Sequence, residues 1–547
     1  MTIKYTKEQL NKFDKDLLIE LFLGMQGQME ELSRQTQALN DRMQLMMEQM
    51  VLFQKNRFGR SSEKMADSEQ IRFMEVDGTI VFFNEAEAVC DLDAPEPEDL
   101  ELKAPKKKKQ PGKKAADIAG LTVKRIDHYL KEEELTAEFG ENGWKQLPDA
   151  ISRCYQFIPA SVVIEEHHIG VYSSKLDEHM IKAPHPRNLL HGSLVSPSLA
   201  AAVINGKYVN AVPLYRLEKE FERYGLAITR QNMANWMIRL GEEYLGTMYD
   251  YLHKLLYDYH VIQADETPVL VNKGGRPAGS QSYMWVYRSG FMYRDRQIIL
   301  YEYQKTRNAS HPREFLRDYT GICVTDGYQV YHTLEKERED LKIAGCWVHC
   351  RRRFNDALEV IPKAHRKESI LHLIMKQIQA IYREEGKLSD FSTEDRLMQR
   401  QLVVKPLVDA FFAYLKQNEP KIPKNGKIRE AFTYALNQES YLKVFLEDGD
   451  VPIDNNASER AIRGFCIGKK NWEMIDTVNG ANSSAIIYSI AETAKANNLK
   501  PFDYFEYLLT EIPKHVDDKN TDFLAELLPW SDMLPENIRK PQKANGK

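Results

Sequence analysis

The sequence predicts a mixed α/β sheet as the central domain, with helical segments before and after it and a coiled-coil helix at the start of the chain. Residues 261–346 hold β-rich runs separated by turns, and helical periodicity fills the stretches on either side. Hairpins come first and a strand–helix–strand alternation follows, which is typical of a mixed sheet. At 547 residues the chain is long enough for several domains.

Composition excludes several classes of protein. A hydrophobic fraction of 43% and an aromatic fraction of 10% are those of a folded globular protein. No apolar run reaches the roughly 18 residues of a membrane span, and the N-terminus has no signal-peptide core. We therefore expect a cytoplasmic protein with no membrane partner. Six cysteines in so long a chain do not indicate a disulfide framework.

The first segment, residues 1–58, is predicted to form one long helix with a heptad seam. Apolar residues recur at a 4-3 spacing from Leu18 to Phe53, which keeps one stripe facing a partner helix. An amphipathic helix packed on its own domain is the alternative. The coiled coil predicts a homo-oligomer, and its methionine-rich seam leaves the number of subunits open.

Residues 59–120 are predicted to be a flexible charged linker, in which an acidic stretch precedes a lysine-rich one. These charges are either simply solvated or a nonspecific tether for DNA phosphates. Residues 121–192 follow as a small module, with strand-like alternation at 152–174.

Residues 193–259 are predicted to be helical, divided into short helices by two glycines and a proline. The helix that begins in ITRQNMANWM resembles the second helix of a helix-turn-helix, with Arg230, Gln231 and Asn235 on its exposed face. A helix pair that only packs on the central domain is the alternative. The segment is thus one candidate for contact with DNA.

The central domain is predicted in two parts. Residues 260–358 hold five β-rich runs, and residues 449–512 complete the domain with a helical, partly basic segment. Residues 359–448 between them are helical and charge-rich, and residues 513–547 form a C-terminal tail.

Two aspartates each close an apolar run: Asp265 follows VIQA and Asp326 follows ICVT. A carboxylate at the end of a buried strand is unfavourable unless it is paired, hydrogen-bonded or bound to a cation. Two such groups on separate strands can hold Mg²⁺ for phosphoryl transfer. Each aspartate taken alone is better explained as a strand-end cap or a turn residue, above all where Gly327 follows Asp326.

A third carboxylate, Glu459, lies in DNNASERAIR at 454–463, where a helix is predicted to start. An i, i+4 salt bridge with Arg463 is the simpler interpretation. The cations around it favour a helix that offers its glutamate to a metal ion while the cations contact DNA phosphates. These predicted DNA-binding residues are Arg460, Arg463, Lys469 and Lys470.

A C-x-x-H-C cluster, Cys346, His349 and Cys350, follows the fifth β-rich run. No fourth potential ligand stands at a sequence spacing typical of a metal site, so buried cysteines are the preferred interpretation. His349 is a candidate supporting residue that could hydrogen-bond a scissile phosphate or a bound water.

A run of three arginines comes directly after this cluster and is predicted to face DNA: Arg351, Arg352 and Arg353. Glu266 neighbours Asp265 and would point to the opposite side of its strand. We therefore expect Glu266 to be structural.

Ordered motifs over nearly the whole chain resemble the transposases of the IS66 insertion-sequence family. They are KNRFGRSSEK at 55–64, KYVNAVPLYRLEKEFERYG at 207–225, DETP at 265–268, TDGY at 325–328, CWVHCRRRF at 346–354, DNNASERAIR at 454–463, IGKKNW at 467–472, YSIAETAKANNLKPFDYFEYLL at 488–509 and ELLPW at 526–530. No single motif would suffice, but their number and order make the resemblance specific.

The resemblance implies an RNase H-like catalytic domain with a helical insertion at 359–448 and a small α+β or helical DNA-binding region ahead of it. It implies the DDE triad, carried over to Asp265, Asp326 and Glu459, as catalytic residues and as ligands of Mg²⁺, with Mn²⁺ as a substitute. The implied partners are the DNA ends of the element, target DNA and small accessory proteins of the same element.

The family usually carries a zinc-binding module with paired cysteines, and here the sequence departs from it. Residues 121–192 contain Cys154 alone among cysteines, and the histidines of this stretch have no tetrahedral zinc spacing with it. We expect a degenerate module that is held by packing and binds no zinc.

The function predicted in this way is a DNA transposase that cleaves the ends of its element and transfers the strands into target DNA. One alternative is an RNase H-like nuclease that cuts without joining. Another is a catalytically silent DNA-binding descendant of a transposase. A purely structural coiled-coil scaffold would account for residues 1–58 and for nothing after them.

Overall fold

The structure is a computed structural model, and it describes residues 74–76, 79–81, 130–140, 160–173, 180–184, 187–277, 279–518 and 520–541. The coiled coil predicted at 1–58, most of the linker at 59–120 and much of the module at 121–192, including Cys154, lie outside the described residues.

Two small hairpins and one helix precede the main body of the fold. Strands β1 (Met74–Val76) and β2 (Thr79–Val81) pair antiparallel and belong to the smaller of two compact units. Helix α1 (Glu132–Phe139) and the antiparallel strands β3 (Val171–Ser173) and β4 (Met180–Lys182) belong to the larger unit. Of the strand-like alternation predicted at 152–174, the described residues form a strand only in β3.

A mixed sheet forms the centre of the larger unit, in the order β7-β6-β5-β8-β9, with β10 beside β5. Its strands are β5 (Val261–Lys273), β6 (Gln281–Ser289), β7 (Ile299–Gln304), β8 (Gly321–Thr325), β9 (Leu341–Gly345) and β10 (Met474–Thr477). The β5–β6 and β6–β7 pairs are antiparallel, and the β5–β8, β8–β9 and β5–β10 pairs are parallel. The predicted mixed sheet with helices is confirmed.

Four helices precede the sheet: α2 (Pro197–Ile204), α3 (Leu214–Arg223), α4 (Arg230–Leu240) and α5 (Gly246–Leu256). π-helical turns at Asn205–Val209 and Gly241–Leu245 lengthen α2 and α4. The side chain of Thr229 caps α4 by accepting the N–H of Asn232 at 3.2 Å, and Gly225, at φ +83°, supplies the turn after α3.

The remaining helices follow the strands in chain order. They are α6 (Ser310–Phe315), α7 (Gln329–Glu337), α8 (Trp347–Val360), α9 (Ile370–Gly386), α10 (Thr393–Gln399), α11 (Lys405–Asn418), α12 (Lys427–Asn437), α13 (Glu439–Lys443), α14 (Asn456–Trp472), α15 (Val478–Ala496), α16 (Pro501–Glu511) and α17 (Leu524–Leu527). Shorter helical turns are π-helical at Arg400–Val404 and 3₁₀ at Arg366–Glu368, Glu419–Lys421, Val444–Leu446, Ile512–His515 and Glu536–Ile538. None of the described helices is long and apolar enough to cross a membrane.

The sheet separates two buried clusters of apolar side chains. Val261 and Ile322 belong to the cluster that contains helices α8, α9, α11 and α12. Their chain neighbours Ile262 and Cys323 belong to the other cluster, which contains α2 to α5 and α14 to α16. Adjacent residues face opposite sides because side chains alternate along a strand.

One part of the strand prediction is wrong. GICVTDGYQVY is one of the five β-rich runs, but only its first part is a strand: β8 ends at Thr325, directly before Asp326, and Gln329 begins helix α7. Gly327 adopts φ +88°, which breaks the extended backbone. The Oδ1 of Asp326 accepts the N–H of Tyr328 at 2.9 Å, an Asx-type turn that starts the helix.

Candidate active site

Asp265 and Asp326 lie side by side at the point where the parallel strands β5 and β8 separate. The β5–β8 register pairs Gln263 with Val324, and two residues further along each strand stand the two aspartates. The sequence suggested that Asp265 stands at a strand end. In the structure β5 continues past it to Lys273, where it pairs with β6 and β10. The strand that ends there is its neighbour β8.

Glu459 reaches the same place from the first turn of α14, and the residue before that helix fixes it. Asn455 is fully buried, and its side-chain amide donates to the carbonyl of Ala264 at 2.7 Å and accepts from Gln263 Nε2 at 3.1 Å. Its backbone N–H donates to Cys346 Sγ at 3.2 Å. The start of α14 is therefore tied to the residue that precedes Asp265.

Two further side chains hold α14 against the sheet. The guanidinium of Arg288, on β6, is buried and donates to the carbonyl of Ala457 at 3.2 Å. The hydroxyl of Tyr301, on β7, donates to the carbonyl of Ala461 at 2.6 Å. Because these acceptors flank Glu459 in the chain, the carboxylate has a defined position above β5 and β6.

The three carboxylates share one electrostatic environment. Burial raises the pKa of Asp265 well above its usual range, and the charges of Glu266, Asp326 and Glu459 raise it further. The N–H of Glu266, which donates to Asp265 Oδ1 at 2.9 Å, opposes this rise. For the Asp265 carboxyl, a proton or a bound cation is therefore favourable.

Glu459 differs from Asp265 because cations surround it. Burial would raise the pKa of Glu459, but His349, Arg352 and Arg463 outweigh burial and lower it. His349 Nε2 lies 3.4 Å from Glu459 Oε1, an ion-pair distance without hydrogen-bond geometry, and Arg352 lies 3.8 Å from Oε2. The structure thus places His349 beside the predicted triad.

Glu266, expected to be structural, is buried beside the same site. Its carboxylate is only 2% exposed and is paired with Arg307, whose Nε donates to Oε1 at 2.7 Å. Burial and the charge of Asp326 raise the pKa of Glu266 to about 7, although Arg307 lowers it. The alternation of strand residues gave no indication of this coupling to Asp326.

Cys346, His349 and Glu459 each bring one metal-ligating atom within 4.8 Å of the other two. The sulfur of Cys346 is buried and already accepts the N–H of Asn455. Burial raises the pKa of this thiol above its usual range. The arrangement fits the preferred interpretation of a buried structural cysteine better than that of a soft-metal site.

The three arginines after His349 point to three places, because successive residues of α8 are separated by about 100°. Arg351 stacks 5.9 Å from the ring centre of Tyr382, and Arg353 stacks 4.3 Å from that of Tyr434. Arg352 turns toward Glu459. That all three contact DNA stays a prediction, although the structure does not gather them into one patch.

The other predicted DNA-binding residues lie on α14 and α4. Those that are exposed are Arg230, Gln231, Arg460, Arg463 and Lys470. Arg460 lies 5.5 Å from the ring centre of the half-exposed Phe291. Lys469 instead donates to the carbonyl of Pro268 at 2.6 Å, within the protein. Nothing in the structure tests the DNA contacts themselves.

Sequence reasoning missed several residues that build the site. Gln263 and Asn455 join β5 to α14, and Tyr434, from the helical segment, donates to the carbonyl of Asp326 at 3.0 Å. Asn455 belongs to the DNN of the DNNASERAIR motif, so the motif itself pointed to it. Tyr434 carried no comparable indication.

Comparison with known proteins assigns the chain to a family. Residues 192–483, more than half of the 547, match the family model described as Transposase IS66 family. Residues 489–530 match the IS66 C-terminal element, and residues 45–126 match a model described as Transposase C of IS166 homeodomain.

Similar proteins come from Sinorhizobium fredii. Uncharacterized protein y4qI is 28% identical over 369 residues, which are 66% of this chain and 67% of that protein. Uncharacterized protein y4jD is 24% identical over 76% of this chain and 82% of its own length. The solved Mos1 transposase paired-end complex with left transposon end is 15% identical, covering 31% of this chain and 62% of that one at a TM-score of 0.11, too low to carry an argument. On the family match, the chain belongs to the IS66 family of transposases.

Proposed function

We propose that this transposase cleaves the ends of its element and joins them to target DNA, with Asp265, Asp326 and Glu459 as its catalytic carboxylates. The observation that carries the proposal is their convergence. Three carboxylates from β5, the end of β8 and the first turn of α14 meet so closely that two of them raise the pKa of the third. These three residues, which lie 60 or more positions apart in the sequence, share one half-buried site.

The order of the sheet supports an RNase H-like catalytic domain. Three antiparallel strands, β5 to β7, are followed by two parallel strands, and β8 returns to the open side of β5. This return places the end of β8 beside the middle of β5, and α14 packs across β5 and β6. Helices α9 to α13 would then correspond to the insertion expected at 359–448.

The donor set fits a divalent cation of the Mg²⁺ type. Carboxylate oxygens are the ligands such hard cations prefer, and the buried Oε1 of Glu459 has no hydrogen-bond partner. Asp265, Asp326 and Glu459 would hold the ion, with Mn²⁺ as a substitute. When bound, it would neutralise charge on the phosphate and favour in-line displacement at phosphorus.

The chain's own residues would position DNA around this centre. A water oxygen would attack the phosphorus at the element end and free a 3′-hydroxyl, whose oxygen would then attack a target phosphodiester and displace a 3′-oxygen. His349 lies where it could hold a proton or contact a phosphate beside Glu459. Arg460 and Arg463, exposed on α14, would contact phosphates.

The test compares the full chain with Asp326→Asn, using DNA from the flanks of its own gene, a target plasmid and Mg²⁺ or Mn²⁺. Asp390→Asn is the matched control, because Asp390 is 85% exposed and pairs with a surface arginine. Metal-dependent nicking and joining in wild type and control, both lost in Asp326→Asn, would support the proposal.

Other outcomes separate the alternatives. Nicking without joining would favour a nuclease. Binding without cleavage, repeated with the accessory proteins of the element present, would favour a silent DNA-binding descendant. Cleavage that survives Asp326→Asn would remove this carboxylate from the catalytic centre.

A further inference from the structure

A chain of contacts leads from Glu266 to the carboxylate of Asp326. Arg307, in the loop after β7, donates through Nε to Glu266 Oε1 at 2.7 Å, and its Nη2 contacts the same oxygen. The glutamate side of this ion pair is buried, whereas Arg307 is 37% exposed. The pair therefore joins the middle of β5 to a loop 41 residues further along the chain.

Tyr328 continues the chain of contacts. The guanidinium of Arg307 stacks 3.7 Å from the centre of the Tyr328 ring, and the Tyr328 hydroxyl donates to the carbonyl of Arg307 at 2.8 Å. The Tyr328 ring thus contacts the guanidinium of Arg307, and the Tyr328 hydroxyl contacts its backbone carbonyl. Stacking on an aromatic face suits the flat guanidinium and not a lysine ammonium.

The last contact reaches a proposed catalytic group. The backbone N–H of Tyr328 donates to Asp326 Oδ1 at 2.9 Å, across a turn in which Gly327 has φ +88°. A carboxylate held through one oxygen has a fixed orientation, and its other oxygen is left for a ligand. The position of Tyr328 therefore decides where Asp326 points.

Stability alone does not account for a charged pair at this place. Replacing a buried ion pair with apolar side chains is often neutral or stabilising. Glu266 Oε2, moreover, is buried without a hydrogen-bond partner. A charged pair that lies beside like charges and is connected to Asp326 through Tyr328 is better explained by what it positions.

We propose that Glu266, Arg307 and Tyr328 are positioning residues that orient the Asp326 carboxylate for metal binding and cleavage. The proposal rests on the proposed function of Asp326. The proposal assigns none of the three a contact with the reacting atoms. They act through the turn at 326–328, which they connect to β5.

Two variants test the network without altering charge. Arg307→Lys keeps the cation but loses the two-pronged contact and the stacking, and Tyr328→Leu removes the ring and the hydroxyl but keeps the backbone N–H. Arg317→Lys is the control, because Arg317 is 66% exposed and pairs with the neighbouring Glu314. Mn²⁺ binding without DNA, the cleavage rate at saturating DNA, the DNA dissociation constant and urea unfolding are measured for each.

We expect both variants to weaken Mn²⁺ binding and to slow cleavage by about 10- to 100-fold, as loss of groups that orient a ligand commonly does. The DNA dissociation constant should stay within about twofold of wild type, and the urea midpoint should shift by less than about 0.5 M. A Glu266→Gln, Arg307→Lys double variant should lose no more than the worse of Glu266→Gln alone and Arg307→Lys alone, because both changes act through one contact.

Unchanged Mn²⁺ binding and cleavage in Tyr328→Leu would overturn the network while leaving the proposed function intact. A rate that falls only in proportion to lost stability would overturn it too, since that is the result expected of a merely structural role. If wild type and Asp326→Asn bind Mn²⁺ and cleave alike, the proposed function fails and the network fails with it.

Discussion

The hydroxyl of Tyr434 donates a hydrogen bond of 3.0 Å to the backbone carbonyl of Asp326. Tyr434 lies on α12, within the helical segment between β9 and α14, so this segment contacts the proposed active site directly. The guanidinium of Arg353, four residues after His349, stacks on the same ring at 4.3 Å. The helical segment is thus part of the structure that supports the site.

Tyr434→Phe should slow cleavage by about 3- to 10-fold, because the turn at Asp326 loses its second anchor. Stability should fall by only about 1 kcal/mol, the usual net contribution of one hydrogen bond. Single-turnover cleavage and urea unfolding measure the two effects. Tyr414→Phe, on α11 of the same segment, is the control. Equal rates for Tyr434→Phe and wild type would show that the contact is incidental.

Asp265→Asn should stabilise the metal-free protein near pH 8 while abolishing cleavage. A carboxyl whose folded pKa is raised contributes stability at low pH and loses it as pH rises from the unfolded value, about 3.9, through the folded value. Burial and the charges of Glu266, Asp326 and Glu459 raise the pKa of Asp265 in this way. The gain at pH 8 should be about 1–2 kcal/mol and should vanish near pH 3.

Urea unfolding in EDTA at both pH values measures this gain, with Asp390→Asn as the control. Added Mg²⁺ should stabilise wild type but not Asp265→Asn, because only wild type keeps the full set of ligands. If Asp265→Asn is less stable than wild type at pH 8, the contacts that Asp265 makes within the protein stabilise its carboxylate without a cation.

The sheet could largely be predicted because its strands carry local information. Apolar runs bounded by turn residues located β5 to β9, and the hairpins and the strand–helix–strand alternation gave the mixed sheet. β10 could not be found, because Met474–Thr477 is a short, partly exposed segment. It becomes a strand only through pairing with the far half of β5.

The site was predicted unevenly for the same reason. Asp265 and Asp326 could be proposed as acids after apolar runs, but their proximity depends on the β5–β8 register, which no local pattern specifies. Glu459 was proposed from the cations that surround it in the sequence, and the family resemblance implied that it completes a triad with the two aspartates. Glu266 illustrates the limit of strand alternation. The alternation placed its side chain on the face of β5 opposite Asp265, but it could not predict the ion pair with Arg307 or the electrostatic coupling to Asp326.

Lys207→Met should stabilise the protein at pH 7. Burial lowers the pKa of the Lys207 ammonium to about 8, and the group lies 5.3 Å from the ring centre of Tyr208. For a lysine with a lowered folded pKa, the unfolded chain binds more protons between about pH 8 and the model-peptide value of about 10.4, so stability rises with pH over that window.

Below that window the cost of burying the charge is fully present, so removing the charge should add about 1 kcal/mol. Urea unfolding of wild type and variant from pH 7 to pH 10 should show the difference shrinking as pH rises. The exposed Lys305→Met is the control. A constant or negative difference would mean that Lys207 has a favourable electrostatic role in the folded protein.

Lys469 and Lys470 should affect DNA binding differently, although the sequence predicted the same role for both. Lys469 donates to the carbonyl of Pro268 at 2.6 Å and so anchors the end of α14 to β5. Lys470 is exposed. A lysine on a DNA phosphate releases about one counterion, so its loss lowers the slope of log affinity against log salt by about 1.

Lys470→Met should therefore reduce the salt slope by about 1, whereas Lys469→Met should keep the slope and lower stability by about 1 kcal/mol. Fluorescence anisotropy on element-end DNA over a series of salt concentrations measures the slopes, and urea unfolding measures stability. If Lys469→Met lowers the slope as well, its ammonium must leave Pro268 when DNA binds. The end of α14 would then have to rearrange in the complex, because one ammonium cannot keep that carbonyl and neutralise a phosphate at a distance from it.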